Sequence, residues 1–170
     1  MASFRLRARV SVREGFRVIL LRASSNDAVP GSFVKPGMVT PVWCTGSGRA
    51  LLWDDRQPAV QALLQDVNFI GVGGPGAAHS PQEVAELMDL DRARGFILAE
   101  EEFEHGVYEL AVPVRSADGS ILAALSVLGS QAQIKVRTND IAKALMAAAE
   151  RLGSCEGRTR GDAGRKGLAS

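Results

Sequence analysis

Two runs of period-two alternation stand out along the chain. In Val107 to Val114, Tyr108, Leu110, Val112 and Val114 fall on one side and Val107, Glu109, Ala111 and Pro113 on the other. In Ser120 to Val127, Ile121, Ala123, Leu125 and Val127 oppose Leu122, Ala124, Ser126 and the following Leu128. Between them lies Ser116-Ala117-Asp118-Gly119, whose Asp-Gly pair supplies the positive φ of a tight turn, so the two runs predict a hairpin. Both faces are largely apolar, which requires cover on each side of the sheet. Glu109 and Ser126 break the pattern. An unpartnered polar group costs about 2 kcal/mol or more to bury, and a charge far more, so these two reach the rim or line a cavity.

The same reading gives strands at Phe4 to Val12 and Phe16 to Arg22, turning at Arg13-Glu14-Gly15, and a strand at Phe96 to Glu100. Ala23 to Gly37 is rich in Ser, Asn, Pro and Gly and predicts a loop over the sheet, with a short strand at Ser32 to Lys35. Loops of this length in compact domains tend to be functional. Thr45 or Ser47 caps a helix reaching about Asp54, and its small first residues let another group approach the free N–H donors closely. The alternative there is a plain cap with tight helix packing. A short helix follows from Pro58, and Asn68 to His79 reads as a flexible, glycine-rich connector without the Lys-Ser/Thr of a phosphate-binding loop. Ser80-Pro81-Gln82-Glu83 opens a helix that Gly95 ends. Thr138 caps a last helix over Asn139 to Leu152, with Gly153 as its stop and 154–170 as a disordered tail. Antiparallel strands with helices at the edges predict an α+β domain over 1–153, built on one largely antiparallel sheet of about six strands.

Composition narrows this little further. A chain of 170 residues, 46% hydrophobic and 23% charged, suits one domain with a sizeable core. Two cysteines in dissimilar contexts give no disulfide framework, and no run is apolar enough to span a membrane, so a cytoplasmic protein is expected. Charge is unevenly spread: residues 1 to 22 carry six Arg against one Glu, and residues 82 to 104 eight acids against two Arg. A nucleic-acid face could produce this, but Arg5, Arg7 and Arg9 alternating with apolar residues read better as the solvated face of an edge strand. Glu100, Glu101, Glu102 and Glu104 read as a solvated acidic loop. Other chemistry is thin: Cys44 beside a helix start with His79 or His105 as base would make a thiol-dependent reductase, and Glu104 with His105 a metal site, but no spacing demands either. No cofactor is expected.

Three blocks in order resemble the C-terminal effector-binding domain of IclR-type bacterial transcription regulators: P-V-W-C-T-G-S-G-R-A-L-L-W at 41–53, the helix with R-A-R-G-F and G-V-Y-E-L-A-V-P-V at 106–114, and D-G-S-I-L-A-A-L-S-V-L-G at 118–129. The resemblance implies a GAF-like domain that forms homodimers or homotetramers and binds a small organic effector, often a carboxylic, carbonyl or aromatic compound. DNA would be read only through an N-terminal helix-turn-helix domain, which has no counterpart in this chain. It also implies a pocket from Gly46, Ser47, Ala99, Val107, Glu109, Ala124 and Ser126, and the 31–40 loop is expected to help enclose a ligand there through Val34 and Met38. An acid common at the Ala99 position is missing, and Glu109 stands where a smaller residue is usual. The expected ligand places an acidic or carbonyl end on Gly46 and Ser47 and a hydrogen-bond donor toward Glu109, which either keeps its proton or faces that donor or a cation. A purely structural oligomerisation module is the remaining alternative.

Overall fold

The computed structural model describes the backbone of residues 6–24 and 35–163, with side chains as far as Cys155. Its elements are β1 (Arg7–Glu14), β2 (Arg17–Ala23), β3 (Val39–Pro41), α1 (Gly46–Leu51), α2 (Gln57–Leu64), α3 (Pro81–Arg94), β4 (Ile97–Glu100), β5 (Tyr108–Arg115), β6 (Ile121–Gly129), α4 (Gln131–Lys135) and α5 (Thr138–Ala163). The strands form one sheet in the order β3-β2-β1-β6-β5-β4, with every neighbouring pair antiparallel. This is the α+β architecture that the alternating runs predict.

The β5–β6 hairpin turns where Asp118-Gly119 requires it. Gly119 has φ of 86°, Ser116 and Ser120 close the turn with an N–H···O bond of 2.9 Å, and Asp118 accepts the Ser120 N–H at 2.9 Å. Strand parity then sorts the core into two layers. Leu110, Val112, Val114, Leu125 and Val127 pack with Ile141, Leu145 and Ala149 of α5. Ala111 and Ala124 face the opposite way, toward Val42, Trp43, Leu52 and Ile97 in the layer that α1, α2 and α3 complete. α3 starts and stops as its sequence dictates: Ser80 accepts the Glu83 N–H, and Gly95 takes the left-handed conformation at φ 88°.

Several expectations need correction. β1 lies in the middle of the sheet between β2 and β6, so its arginines do not sit on an edge strand. The short strand expected at 32–35 falls, except for the non-strand Lys35, outside the described residues, and the chain instead adds β3 at 39–41. The glycine-rich 68–79 segment is docked, not loose. Gly74 N–H donates to the Glu102 carbonyl at 2.7 Å and Gly76 N–H to the Glu101 carbonyl at 3.1 Å. A Cβ at Gly76 would sit 2.0 Å from the Glu100 carbonyl oxygen, so only glycine fits there. Ser130 and Gln133 form a capping box that starts the unforeseen α4. Finally, α5 runs through Gly153 to Ala163: the helix stop and the disordered tail do not hold for 154–163, and 164–170 lie outside the described residues.

Candidate functional site

The polar exceptions on the central hairpin meet under α1. Thr45 caps this helix, its hydroxyl accepting the Gly48 N–H at 3.1 Å. Gly48 has no room for a side chain, since a Cβ would lie 2.0 Å from the Val42 carbonyl oxygen, and this holds the helix close to the strand end. The helix start thereby faces Glu109 of β5, whose pairing with Ala99 and Leu128 fixes its height on the sheet.

Glu109 is 7% exposed and its carboxylate is well supplied with donors. Gly46 N–H donates to Oε2 at 2.8 Å, Ser47 N–H to Oε1 at 3.2 Å, and the Ser47 hydroxyl to Oε1 at 2.5 Å. Ser126 Oγ, fully buried on β6, stands 3.1 Å from Ser47 Oγ and extends the chain of hydroxyls inward. Burial without partners would be prohibitive for a carboxylate; three donors from α1 make it tolerable. The external anion expected on Gly46 and Ser47 therefore meets an occupied position, because the chain's own carboxylate takes those donors.

A cavity of about 20 Å³ remains beside this cluster, lined by Glu109, Ser47, Thr45, Arg9, Ser11, Val18, Leu20, Met38 and Thr40. That is room for about one water molecule. Of the expected pocket residues, Gly46, Ser47, Glu109 and Ser126 are brought into one hydrogen-bonded cluster, and Met38 lines the cavity. Ala99 and Ala124 are buried on the same sheet face, opposite Glu109 and Ser11 respectively in the strand register. Val107 precedes β5, where its carbonyl accepts the Glu101 N–H at 3.0 Å, and does not line the cavity. Val34 lies outside the described residues.

Arg9 and Ser11 are the residues that sequence reasoning missed. Ser126 pairs with Arg9 and Ala124 with Ser11 across β1 and β6, which puts both β1 side chains on the cavity face. The β1–β2 register also shifts between Val10 and Ser11, a bulge beside the cavity. Burial pulls the Arg9 guanidinium below its ordinary pKa, and the charge of Glu109 opposes that shift. The signal was the Arg-x-Arg-x-Ser alternation itself, which marks polar residues on a covered face once the strand is known to be central. Leu6, Ala8, Val10 and Val12 pack on the other face against the α5 layer.

Behind α1 a second polar group ties the site to its surroundings. Arg49 is 1% exposed; its Nε donates to Asp91 Oδ2 at 2.7 Å, one terminal nitrogen donates to Glu102, and the other to the Leu98 carbonyl at 3.3 Å. Glu102 is thus buried, not part of a solvated acidic loop. Burial pushes its carboxyl up to about 7; Arg49 acts against this and the neighbouring Asp91 adds to it. Cys44 is fully buried, and desolvation raises its thiol to about 12, the reverse of the activated thiolate that a reductase needs. His105 is at the surface with Nδ1 3.0 Å from Glu101 Oε2, and among the described residues no three His, Cys, Asp or Glu side chains are grouped to hold a metal ion. No helix among them is long and apolar enough to cross a membrane.

Comparison with known proteins places this fold. The family model described as bacterial transcriptional regulator IclR C-terminal matches residues 1–154. The Pca regulon regulatory protein of Pseudomonas putida is 30% identical over 87 residues, which are 51% of this chain and 30% of that protein. The chain matches less than a third of that relative's length. Among solved structures, the C-terminal domain of the E. coli regulator KdgR superposes with a TM-score of 0.76 at 19% identity, covering 88% of this chain and 87% of that one. A double mutant of the Acinetobacter PobR inducer-binding domain, complexed with 3-hydroxybenzoic acid, gives 0.71 at 23% identity over 87% of each chain. An IclR homologue from Microbacterium hydrocarbonoxydans, complexed with 4-hydroxybenzoate, gives 0.71 at 23% identity over 86% of this chain and 58% of that one. With the family model spanning nearly the whole chain, this protein belongs to the family of IclR-type bacterial transcriptional regulators and carries their C-terminal effector-binding domain.

Proposed function

We propose that the cavity under α1 is the effector site, and that a small organic molecule bound there shifts the domain between two arrangements of a homodimer or homotetramer, which in turn controls DNA binding by a helix-turn-helix domain of the full regulator. One observation carries the reading: hydroxyls, backbone donors, a carboxylate and an arginine converge around one small cavity lined from α1, β1, β2, β3 and β5. A structural module has no need of such a cluster, since an apolar core would be cheaper to build. The hydroxybenzoates bound by two structural relatives suggest the size and polarity of the effector class, a compact aromatic or carbonyl compound with a hydrogen-bonding end. Glu109, held by Gly46 and Ser47, and Ser126 would orient its polar groups, and Ala99, Ala124 and Met38 would bound its apolar part. Val107 does not line the cavity and Val34 lies outside the described residues, and at about 20 Å³ the cavity must open to admit a molecule of this size.

Self-association is the second half of the proposal. Phe16 is 47% exposed, Leu21 48% and Val39 50%, which leaves apolar surface along the β2–β3 end of the sheet for another copy of the chain. The test is a thermal-shift screen of small aromatic and aliphatic acids, amides, aldehydes and amines, followed by sedimentation with and without each hit. A ligand at a hundredfold excess over its dissociation constant stabilises the domain by about 2.7 kcal/mol, readily seen as a higher Tm. A broad screen with no hit would overturn the effector reading, and a hit that leaves the sedimentation unchanged would overturn the quaternary mechanism.

A further inference from the structure

We infer that Glu109 is a built-in occupant of the effector seat and fixes the class of ligand: its carboxylate holds the donors that an acidic effector would use, so the domain discriminates against anionic compounds. This rests on the reading of the cavity as the effector site. Three donors converge on the two carboxylate oxygens, at 2.8 Å and 3.2 Å from the amides of Gly46 and Ser47 and 2.5 Å from the Ser47 hydroxyl. Nothing can slip between them, since even a Cβ on Gly46 would come within 3.1 Å of the Glu109 Cγ, Cδ and Oε2 atoms. The free volume left beside the cluster, about 20 Å³, holds about one water, so any ligand, acidic or neutral, must widen the cavity, and the discrimination comes from charge and occupied donors, not from space.

Tethering makes this occupant hard to displace. A group held on a rigid strand presents itself at an effective concentration far above that of a dissolved metabolite, and β5 is fixed by β4 on one side and β6 on the other. An incoming acid must therefore expel a paired carboxylate and place a second negative charge beside it, with the partly buried Arg9 as the one cation lining the described cavity. A neutral or cationic molecule that donates a hydrogen bond to Glu109 meets no such penalty. The selectivity lies in a single side chain.

Glu109→Ala removes the atoms of an acetate ion, and this defines the experiment. Thermal shift and the amide resonances of Gly46 and Ser47 are followed while acetate, or its neutral isostere acetamide, is titrated into the wild type and into Glu109→Ala. The wild type should not respond to acetate. In Glu109→Ala, acetate should raise the melting temperature saturably toward the wild-type value and move both amide resonances, with an apparent affinity at least about tenfold above the wild type's and no matching effect of acetamide. Equal responses of the two proteins to acetate, or a Glu109→Ala protein indifferent to it, overturn the proposal. Should Glu109→Ala not fold, benzoate and benzamide titrated into the wild type decide the matter: benzoate shifting the Gly46 and Ser47 resonances overturns it, and a response to benzamide alone supports it. The two ideas fail separately. Acetate rescue without any metabolite binding to the wild type would leave Glu109 as an occupant of a site that senses nothing, and an acid bound on Gly46 and Ser47 of the wild type would keep the sensor and discard the discrimination.

Discussion

Ser47 spends its single hydroxyl proton on Glu109 at 2.5 Å and sits 3.1 Å from Ser126, so it is the joint of the buried polar cluster. Ser47→Ala leaves the carboxylate with two backbone donors and Ser126 with one partner fewer; the expected loss is about 1–3 kcal/mol in a urea titration, because an underpaired buried charge costs more than a surface bond. Cys44 gives a second residue-level prediction. With its thiol buried and raised to about 12, it should resist iodoacetamide at neutral pH while the exposed Cys155 reacts, giving one labelled thiol per native chain and two after unfolding. Rapid native labelling of both would revive redox chemistry at Cys44. How much of this site the sequence displays depends on the strand. Glu109 and Ser126 stand out because the runs around them are apolar on both faces. Arg9 and Ser11 do not, since alternating polar residues are what a half-solvated strand shows, and only the pairing of β1 with both β2 and β6 reveals that their face is covered.

At the scale of elements, glycine is where sequence and structure part. Gly95 and Gly119 are legible because a helix end and a hairpin turn need their positive φ, 88° and 86°. Gly153 follows the same composition rule yet serves a different purpose: a Cβ there would meet the Arg115 carbonyl oxygen at 2.0 Å, so it lets α5 lie directly on the end of β5. No local pattern separates a helix stop from a close approach, because the deciding atom belongs to a strand 38 residues away in sequence (153 − 115). Gly153→Ala tests which it is. In a true stop, alanine would be mildly unfavourable or even extend the helix; in a contact it must push α5 off the sheet, at a cost of about 1–3 kcal/mol from overpacking. Thermal unfolding followed by circular dichroism distinguishes these, with a lower Tm and unchanged helix content expected. The glycines of the 73–76 loop follow the same logic against the Glu100–Glu102 backbone, which is why a segment that reads as a loose connector is in fact packed.

For the molecule as a whole, one buried guanidinium joins three separate parts of the chain. Arg49 of α1 holds Asp91 of α3 and Glu102 of the link between β4 and β5, so the helix that carries Gly46 and Ser47 cannot shift without disturbing that network. Asp91 has a second cation in Arg94, 3.8 Å away, whereas Glu102 is paired with Arg49, and burial raises the Glu102 carboxyl from 4.5 to about 7. The unfolded chain gives up this proton near the ordinary value, whereas the native protein keeps it to higher pH. Between these limits the folded state binds more protons, and by linkage stability falls as pH rises. Glu102 therefore contributes its full stability below about pH 4.5 and loses that contribution as pH passes through about 7. Urea midpoints measured from pH 5 to pH 8 should show this decline, and Glu102→Gln, which stays neutral and can still accept from Arg49, should flatten it by removing the titrating group. A slope identical in wild type and Glu102→Gln would mean that Glu102 is ionised throughout and that Arg49 satisfies both carboxylates at once. Arg49→Met completes the test, because it takes the paired cation from Glu102 and leaves Asp91 only Arg94 at 3.8 Å; a loss of about 3–5 kcal/mol at pH 8 that shrinks markedly at pH 5 is the result expected if the penalty comes from buried charge and not from lost packing.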